Sequence, residues 1–436
     1  MGTDVFARAS AAISGAKICH PMGRISSVSD SVIQVAGLSD AARLGDRVTI
    51  QHAGNRTQSE VVRIDPNGVS LLPDDPMDGA TVGDPVRLNG TPNFAPDASW
   101  IGRVIDPDGM PLDGHPILHG LTTKSIRAPA PTAYTRRGLG ARLSTGYILF
   151  DTVLPITRGQ RIGLFAGSGV GKSTLLAGLA RGMEADIAVI ALVGERGREV
   201  REFVEKTLGP EGLARSIVVA ATSDRGPQIR RRCALAATTI AEHFRDEGRQ
   251  VLLFVDSLTR FAEAHREVAV AAGESPALRG FPASTAAAIA SLCERAGPAS
   301  GDQGDITAIY SVLVAGSDME EPVADMVRGV LDGHVVMERT IAEAGRYPAV
   351  DVLRSVSRSL PDAANPTENS IIAEVRNLMG TYAQSELMIR SGLYVAGSDP
   401  LLDRAIAVKD RIDAVFSRMN DAGAETAFAA LKAAIA

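Results

Sequence analysis

The chain has 436 residues, 45% of them hydrophobic and 22% charged, and a formal net charge of −6. That is enough apolar material for roughly two to four domains with buried cores, while the acidic balance argues against a protein dedicated to nucleic acid, whose footprint is basic. Cys19, Cys233 and Cys293 stand far apart without CxxC spacing, which disfavours a disulfide framework or a zinc site, and with no signal-peptide pattern and no apolar run of about 18 residues the sequence points to a cytosolic protein.

Residues 1–16 (MGTDVFARASAAISGA) are Ala-rich with few large apolar groups (Val5, Phe6, Ile13). Such a stretch reads as a marginal helix or a tail that orders only on a partner. From 17 to 95, short apolar runs such as GDRVTIQ, SEVVRIDPNGVSLLP and DPVRLNG are separated by Gly, Asp, Asn and Pro. They predict a small all-β domain, a β-barrel or a sandwich. Residues 96–140 carry Pro, Gly and Arg clusters (DPDGMPLDGHP, RAPAPTAYTRRGLG) and read as a connector onto the next domain. From 141 to 360, continuous apolar runs (RIGLFAG, DIAVIALVG, SIVVAATS, VLLFVDS, ITAIYSVLVAG, HVVMER) alternate with helical stretches. Strands covered on both faces read this way, so the expected fold class is α/β with a mostly parallel sheet. Residues 361–436 are helical by pattern.

Within the α/β domain, AGSGVGKST (166–174) follows a strand and opens a helix. Gly167, Gly169 and Gly171 let the backbone turn its N–H groups inward. Phosphate oxygens can accept them there, at the positive end of the helix. Together with Ala166, Ser168, Val170 and Thr174 these residues form the expected nucleotide cradle. Lys172 is expected to reach the β- and γ-phosphates, and Ser173 to ligate Mg²⁺. The motif ordinarily begins with Gly; Ala166 fits if its φ is negative.

Hydrolysis needs carboxylates at the C-terminal ends of the strands, where α/β sheets bind ligands. VLLFVDSLTR ends a strand in Asp256, suited to hold Mg²⁺ through water; taken alone, Asp256 also reads as the N-cap of the next helix. DIAVIALVGERGREV ends another strand in Glu195, suited to orient and deprotonate the attacking water. For Arg198, just beyond it, a solvated charge is the simpler reading.

The segments AGSGVGKS, VGERGREV, VLLFVDSLTRFAEAHREV and YPAVDVLRSVSRS together resemble the catalytic subunits of the rotary ATPase superfamily. Pro348, Asp351, Ser355 and Ser357 carry its Pro-to-Ser-x-Ser signature. Within the superfamily the chain is most similar to the bacterial type III secretion ATPases, and among these to the flagellar export ATPases, over about 17–410. This resemblance implies an N-terminal β-barrel, a central RecA-like P-loop ATPase domain and a C-terminal helical domain. It implies ATP and Mg²⁺ as cofactors, Tyr347 as the aromatic stacked on adenine, and Arg358 as an arginine finger entering the adjacent subunit's site in a homohexameric ring. The implied partners are a stator-like negative regulator at residues 1–16, a stalk protein, export-gate membrane proteins and chaperone–substrate complexes, with no nucleic acid. The implied location is cytoplasmic, peripheral to the inner membrane at the flagellar base.

The alternatives are an injectisome ATPase, which shares every motif above, a rotary ATP synthase catalytic subunit, a Rho-like RNA translocase and an inactive nucleotide-binding subunit. Aromatic content of only 4% disfavours an RNA platform, which stacks bases on aromatics within a basic groove. The presence of Lys172, Glu195 and Asp256 disfavours an inactive subunit. The Arg-rich connector departs from the plainer stretch expected of the family.

Overall fold

The structure is a computed structural model that describes residues 10, 13, 18–29, 32–92, 94–277, 279–314, 319–420 and 422–436. The expected regulator-binding segment, residues 1–16, therefore lies outside the described residues except for positions 10 and 13.

Six short strands close into the N-terminal barrel: β1 (Met22–Val28), β2 (Ile33–Ala36), β3 (Arg47–His52), β4 (Asn55–Asp65), β5 (Gly68–Pro73) and β6 (Pro85–Gly90). Their order around the barrel is β1-β2-β5-β4-β3-β6. Alternate residues point inward, so Ile25, Ile33, Val35, Val48, Ile50, Val69, Leu71 and Val86 form the barrel core. Closure rather than a two-sheet sandwich removes the exposed edges. The β3–β4 hairpin turns on Ala53 and Gly54, both at positive φ (46° and 84°), the two-residue turn that matches strand twist.

The central sheet has eight strands in the order β14-β13-β8-β12-β11-β9-β10-β7. They are β7 (Val104–Ile105), β8 (Arg161–Ala166), β9 (Ile187–Glu195), β10 (Ser216–Thr222), β11 (Val251–Asp256), β12 (Ile306–Leu313), β13 (Gly333–Met337) and β14 (Val350–Ser357). Every pairing is parallel except β13 with β14. Both faces are covered, as the continuous apolar runs require. Along β9, Ala188, Ile190 and Leu192 enter one core, and Ile187, Val189, Ala191 and Val193 enter the other. Helix α1 (Lys172–Gly182) and the C-terminal helices pack on the first face. Helices α2 (Pro227–Asp246), α3 (Leu258–Ala271), α4 (Ser284–Glu294) and α5 (Pro322–Val330) pack on the second. Helices α6 (Pro366–Arg390), α7 (Pro400–Phe416) and α8 (Gly423–Ile435) complete the chain. Helix α6 opens on a capping box formed by Asn365 and Glu368.

The Arg-rich connector laces these parts together. It supplies edge strand β7, and its arginines each hold a different element. Arg137 donates to Asp305 at 2.6 Å, ahead of β12. Arg136 donates to the Ala296 carbonyl beyond α4. Arg142 holds Glu368 of α6 through two bonds of 3.0 and 3.1 Å and lies over the Phe428 ring of α8. Arg127 joins a cluster around Glu60 of the barrel. The Glu60 carboxylate meets Arg127 and Arg231 at 2.8 Å and Arg232 at 2.6 Å, and Arg232 also meets Asp108 at 2.6 Å. Burial alone would raise the Glu60 pKa; Arg232, Arg231, Arg127 and Arg47 outweigh it and hold the carboxyl below its ordinary value.

Removing the Glu60 charge leaves the largely buried Arg231 without its carboxylate and Arg232 with Asp108 alone. Glu60→Gln is therefore expected to cost about 3–5 kcal/mol. Urea unfolding followed at Trp100, the single tryptophan and buried in the connector, measures this. A loss below ~1 kcal/mol, the range of a surface pair, would mean that water rather than Glu60 satisfies the arginines.

Candidate active site

The phosphate loop leaves β8 in the middle of the sheet. Ala166 is the last strand residue, fully buried, paired with Leu313 on one side and Met337 on the other. It is not among the described non-glycine residues with positive φ, which are Ala53 and Arg279, so Ala replaces the usual Gly without strain. Gly169 and Gly171 do need their glycines, with φ of 79° and 86°. Gly171 is the left-handed residue from which α1 starts. Ser168, Ser173 and Thr174 are exposed along the loop and first helical turn, while Val170 is buried beneath it.

The Lys172 ammonium is ion-paired with Asp256 Oδ1 at the end of β11. The Ser311 hydroxyl, from β12, donates to the same oxygen at 2.6 Å. Ser311 escapes sequence reading; the signal is a small polar residue inside the otherwise apolar run ITAIYSVL. The N-cap reading of Asp256 does not hold: Ser257 caps α3, its side chain accepting from the Arg260 backbone N–H. Asp256 is left facing the phosphate loop, 4% exposed.

Glu195 ends β9, which is not the neighbour of β8. Strands β12 and β11 intervene, so the two strands stand about 14 Å apart at three inter-strand spacings. A bulge brings the carboxylate to the site. Val193 pairs with Ala221 and Glu195 with Thr222, skipping Gly194, whose φ is 70°. A one-residue bulge of this kind re-aims the side chain that follows it. Burial chiefly, and then the negative charge of Asp256, push the Glu195 carboxyl up to about 7, against the opposing Lys172. A carboxyl poised near neutrality can take a proton from water.

Tyr347, in the loop before β14, is half exposed and therefore not a core tyrosine. Its ring edge lies 3.3 Å from where a Cβ on Gly171 would stand, so it overhangs the start of α1. Arg358 is brought nowhere near this edge of the sheet. Its backbone N–H bonds to the Asp332 carbonyl, and Asp332 in turn holds the backbone N–H of Arg161 at the start of β8. That places Arg358 five residues back from Ala166 along β8, about 17 Å away at the strand rise. Its exposed guanidinium lies 3.5 Å from the Arg328 carbonyl.

Hard oxygen donors, the Ser173 hydroxyl and the Asp256 carboxylate, suit Mg²⁺. Two carboxylates beside a single lysine also leave negative charge that a divalent cation would offset. Among the described residues no group of three or more His, Cys, Asp or Glu could hold a metal ion by itself. Among the described residues, too, no helix is long and apolar enough to cross a membrane.

Residues 146–357 match the ATP synthase alpha/beta family, nucleotide-binding domain, and residues 364–431 match the T3SS EscN ATPase C-terminal domain. A flagellum-specific ATP synthase of Agrobacterium fabrum is 44% identical over 385 residues, 88% of this chain and 81% of the relative. The assembled ATPase EscN from the enteropathogenic E. coli type III secretion system superposes with a TM-score of 0.85 at 37% identity, covering 95% of this chain and 100% of that one. EscN in complex with its central stalk EscO superposes with a TM-score of 0.84 at 38% identity, with the same coverage.

Proposed function

The chain belongs to the family of flagellar and type III secretion ATPases, and from that premise we propose that it works as a homohexameric ring at the flagellar base, energising the unfolding and export of flagellar proteins. As a member of the family it is a P-loop ATPase of type III protein export. The observation that carries the rest is the division of the site between two edges of one subunit: Lys172, Asp256 and Glu195 converge at the C-terminal edge of the sheet, while Arg358 stands at the opposite edge.

In the proposed mechanism the loop from Ala166 to Thr174 wraps the triphosphate with backbone N–H groups. Lys172 leaves Asp256 for the β- and γ-phosphates. Ser173 and Asp256 would hold Mg²⁺, which when bound neutralises phosphate charge. Tyr347 stacks on adenine. Glu195 orients the attacking water and accepts its proton. Arg358 serves the neighbouring subunit, stabilising charge on the transferring phosphoryl group.

EscN is assembled and carries a central stalk in its complex with EscO; by analogy the ring proposed here takes a stalk protein. Residues 1–16 are proposed to meet a stator-like regulator and, through it, the export gate. The C-terminal helices are proposed to receive chaperone–substrate complexes. The flagellar reading is taken from the overall resemblance of the chain; a flagellum-specific ATP synthase is 44% identical and a type 3 secretion system ATPase 43%, so the choice between the two rests on the experiment that follows.

A deletion strain complemented with the full chain or with Δ1–16 protein tests this reading. The deletion is expected to abolish swimming and secretion of filament subunits. Δ1–16 protein is expected to restore them poorly while its purified form keeps ATPase activity. Normal motility with lost effector secretion would move the protein to the injectisome branch.

A further inference from the structure

The loop that carries Tyr347 is fastened to the C-terminal helices by one buried charge. Arg346, immediately before Tyr347, donates from Nη2 to the Val350 carbonyl at 2.7 Å, which ties the loop to the start of β14. Its Nη1 points the other way, to Asp413 Oδ1 on α7 at 3.4 Å. The Arg346 side chain is 11% exposed. Neither Nη1 nor Oδ1 has any hydrogen-bond partner, although both atoms are buried. A guanidinium nitrogen and a carboxylate oxygen taken from water therefore have only each other, at a separation longer than a charge-assisted hydrogen bond.

Asp413 is not otherwise idle. Its second oxygen is ion-paired with Lys409, one turn back on α7. The Lys409 ammonium lies 5.4 Å over the Tyr382 ring of α6. A single line of contacts thus runs from Tyr347 through Arg346, Asp413 and Lys409 to Tyr382, touching both helices of the α6–α7 hairpin. The far end of that hairpin exposes Leu387, Leu393 and Val395, at 83%, 74% and 71%, an apolar tip set apart from the nucleotide edge.

We propose that Arg346 is a positioning residue that couples nucleotide occupancy to the α6–α7 hairpin: when adenine engages Tyr347, the loop shifts and Arg346 closes on Asp413, moving α7. The loose, single-contact pair has room to close, and in this proposal its open and closed arrangements are the two states that such coupling needs. Reciprocity follows: whatever holds the hairpin changes nucleotide affinity by the same factor. The inference rests on the reading of Tyr347 as the adenine contact.

The test is ADP-dependent hydrogen exchange in residues 400–416 of the full-length protein, with ATPase kinetics alongside. In the wild-type chain, saturating ADP is expected to slow exchange there. Arg346→Met and Asp413→Asn are each expected to abolish that slowing with ADP still saturating, and to raise KM about tenfold, within the usual range of coupling between sites. The expected change in kcat is less than about threefold. The double variant should be no worse than either single one, because both remove one pair. Arg346→Lys, which keeps the charge, should restore part of the slowing and guards against a folding defect in the Met variant. Unchanged ADP-dependent exchange in Arg346→Met and Asp413→Asn, additive effects in the double variant, or no ADP effect in the wild type each overturn the coupling. Tyr347→Ala separates the two readings: if it leaves ADP affinity unchanged, the adenine assignment fails; if it weakens affinity while Arg346→Met behaves as wild type, only the coupling fails.

Discussion

Arg358→Ala is expected to lower ATP turnover by about 10³-fold or more, the lower range for an arginine finger, while nucleotide affinity changes little. The argument is geometric. Within one chain Arg358 is held through Asp332 at the level of Arg161, on the edge of the sheet away from Lys172 and Asp256. No rotamer carries its guanidinium across that span to its own phosphates. If the residue acts at all, it acts on a neighbour, so turnover should rise steeply with protein concentration as rings form. The same reasoning gives a sharper result. Arg358→Ala and Lys172→Ala proteins, each inactive alone, should regain hydrolysis when mixed, since some interfaces then join an intact phosphate loop to an intact arginine. Mixtures that stay inactive, although mass measurement shows mixed rings, would remove the finger role.

Parts of this arrangement are legible in the sequence for physical reasons, and parts are not. The parallel strands read clearly because each is buried on both faces: RIGLFA, VLLFVD and ITAIYSVL are short, continuous apolar runs without the alternation of a half-exposed strand. The phosphate loop reads clearly because positive-φ backbone at Gly169 and Gly171 leaves a compositional mark. Asp256 reads in the sequence as either cap or ligand, and the Ser257 cap removes the first of these. The bulge at Gly194 could not be seen, because it exists in the pairing of β9 with β10 rather than in either strand. Strand β7 was hidden among prolines and glycines, since its two residues borrow their order from the edge they join. The sequence marks the connector as Arg-rich without showing what its arginines hold. Each of Arg127, Arg137 and Arg142 has its carboxylate more than sixty positions away in the chain, a distance no local pattern reports. Arg358 is the extreme case, because its proposed partner is on another chain, and only resemblance suggested it.

Glu195→Gln is expected to bind ATP·Mg²⁺ nearly as the wild type does and to lose at least ~10²-fold in turnover, as removal of a general base does. Lys172→Ala should lose affinity as well. The environment of Glu195 adds a pH signature that a merely structural carboxylate would not give. Burial first, and Asp256 second, raise its pKa from the ordinary 4.5 to about 7. To accept a proton from water the group must be ionised. Wild-type kcat/KM, which reports the free enzyme, should therefore rise about tenfold per pH unit below 7 and level off above it. Stability moves the opposite way. A carboxyl whose pKa is higher folded than unfolded favours the folded state while protonated; that contribution is full below pH 4.5 and is lost as pH rises through 7. At pH 8 the wild type carries an ionised carboxylate beside Asp256, and the Gln variant does not. Because Glu195 is partly exposed, solvent screening reduces the difference to about 1 kcal/mol, or roughly 2–4 °C in Tm for a domain of this size. The nucleotide-free Gln variant should thus melt higher than the wild type at pH 8 and equal to it near pH 4.5. A kcat/KM profile flat between pH 6 and 8, or a Tm gain that does not depend on pH, would show that the carboxylate is not the base.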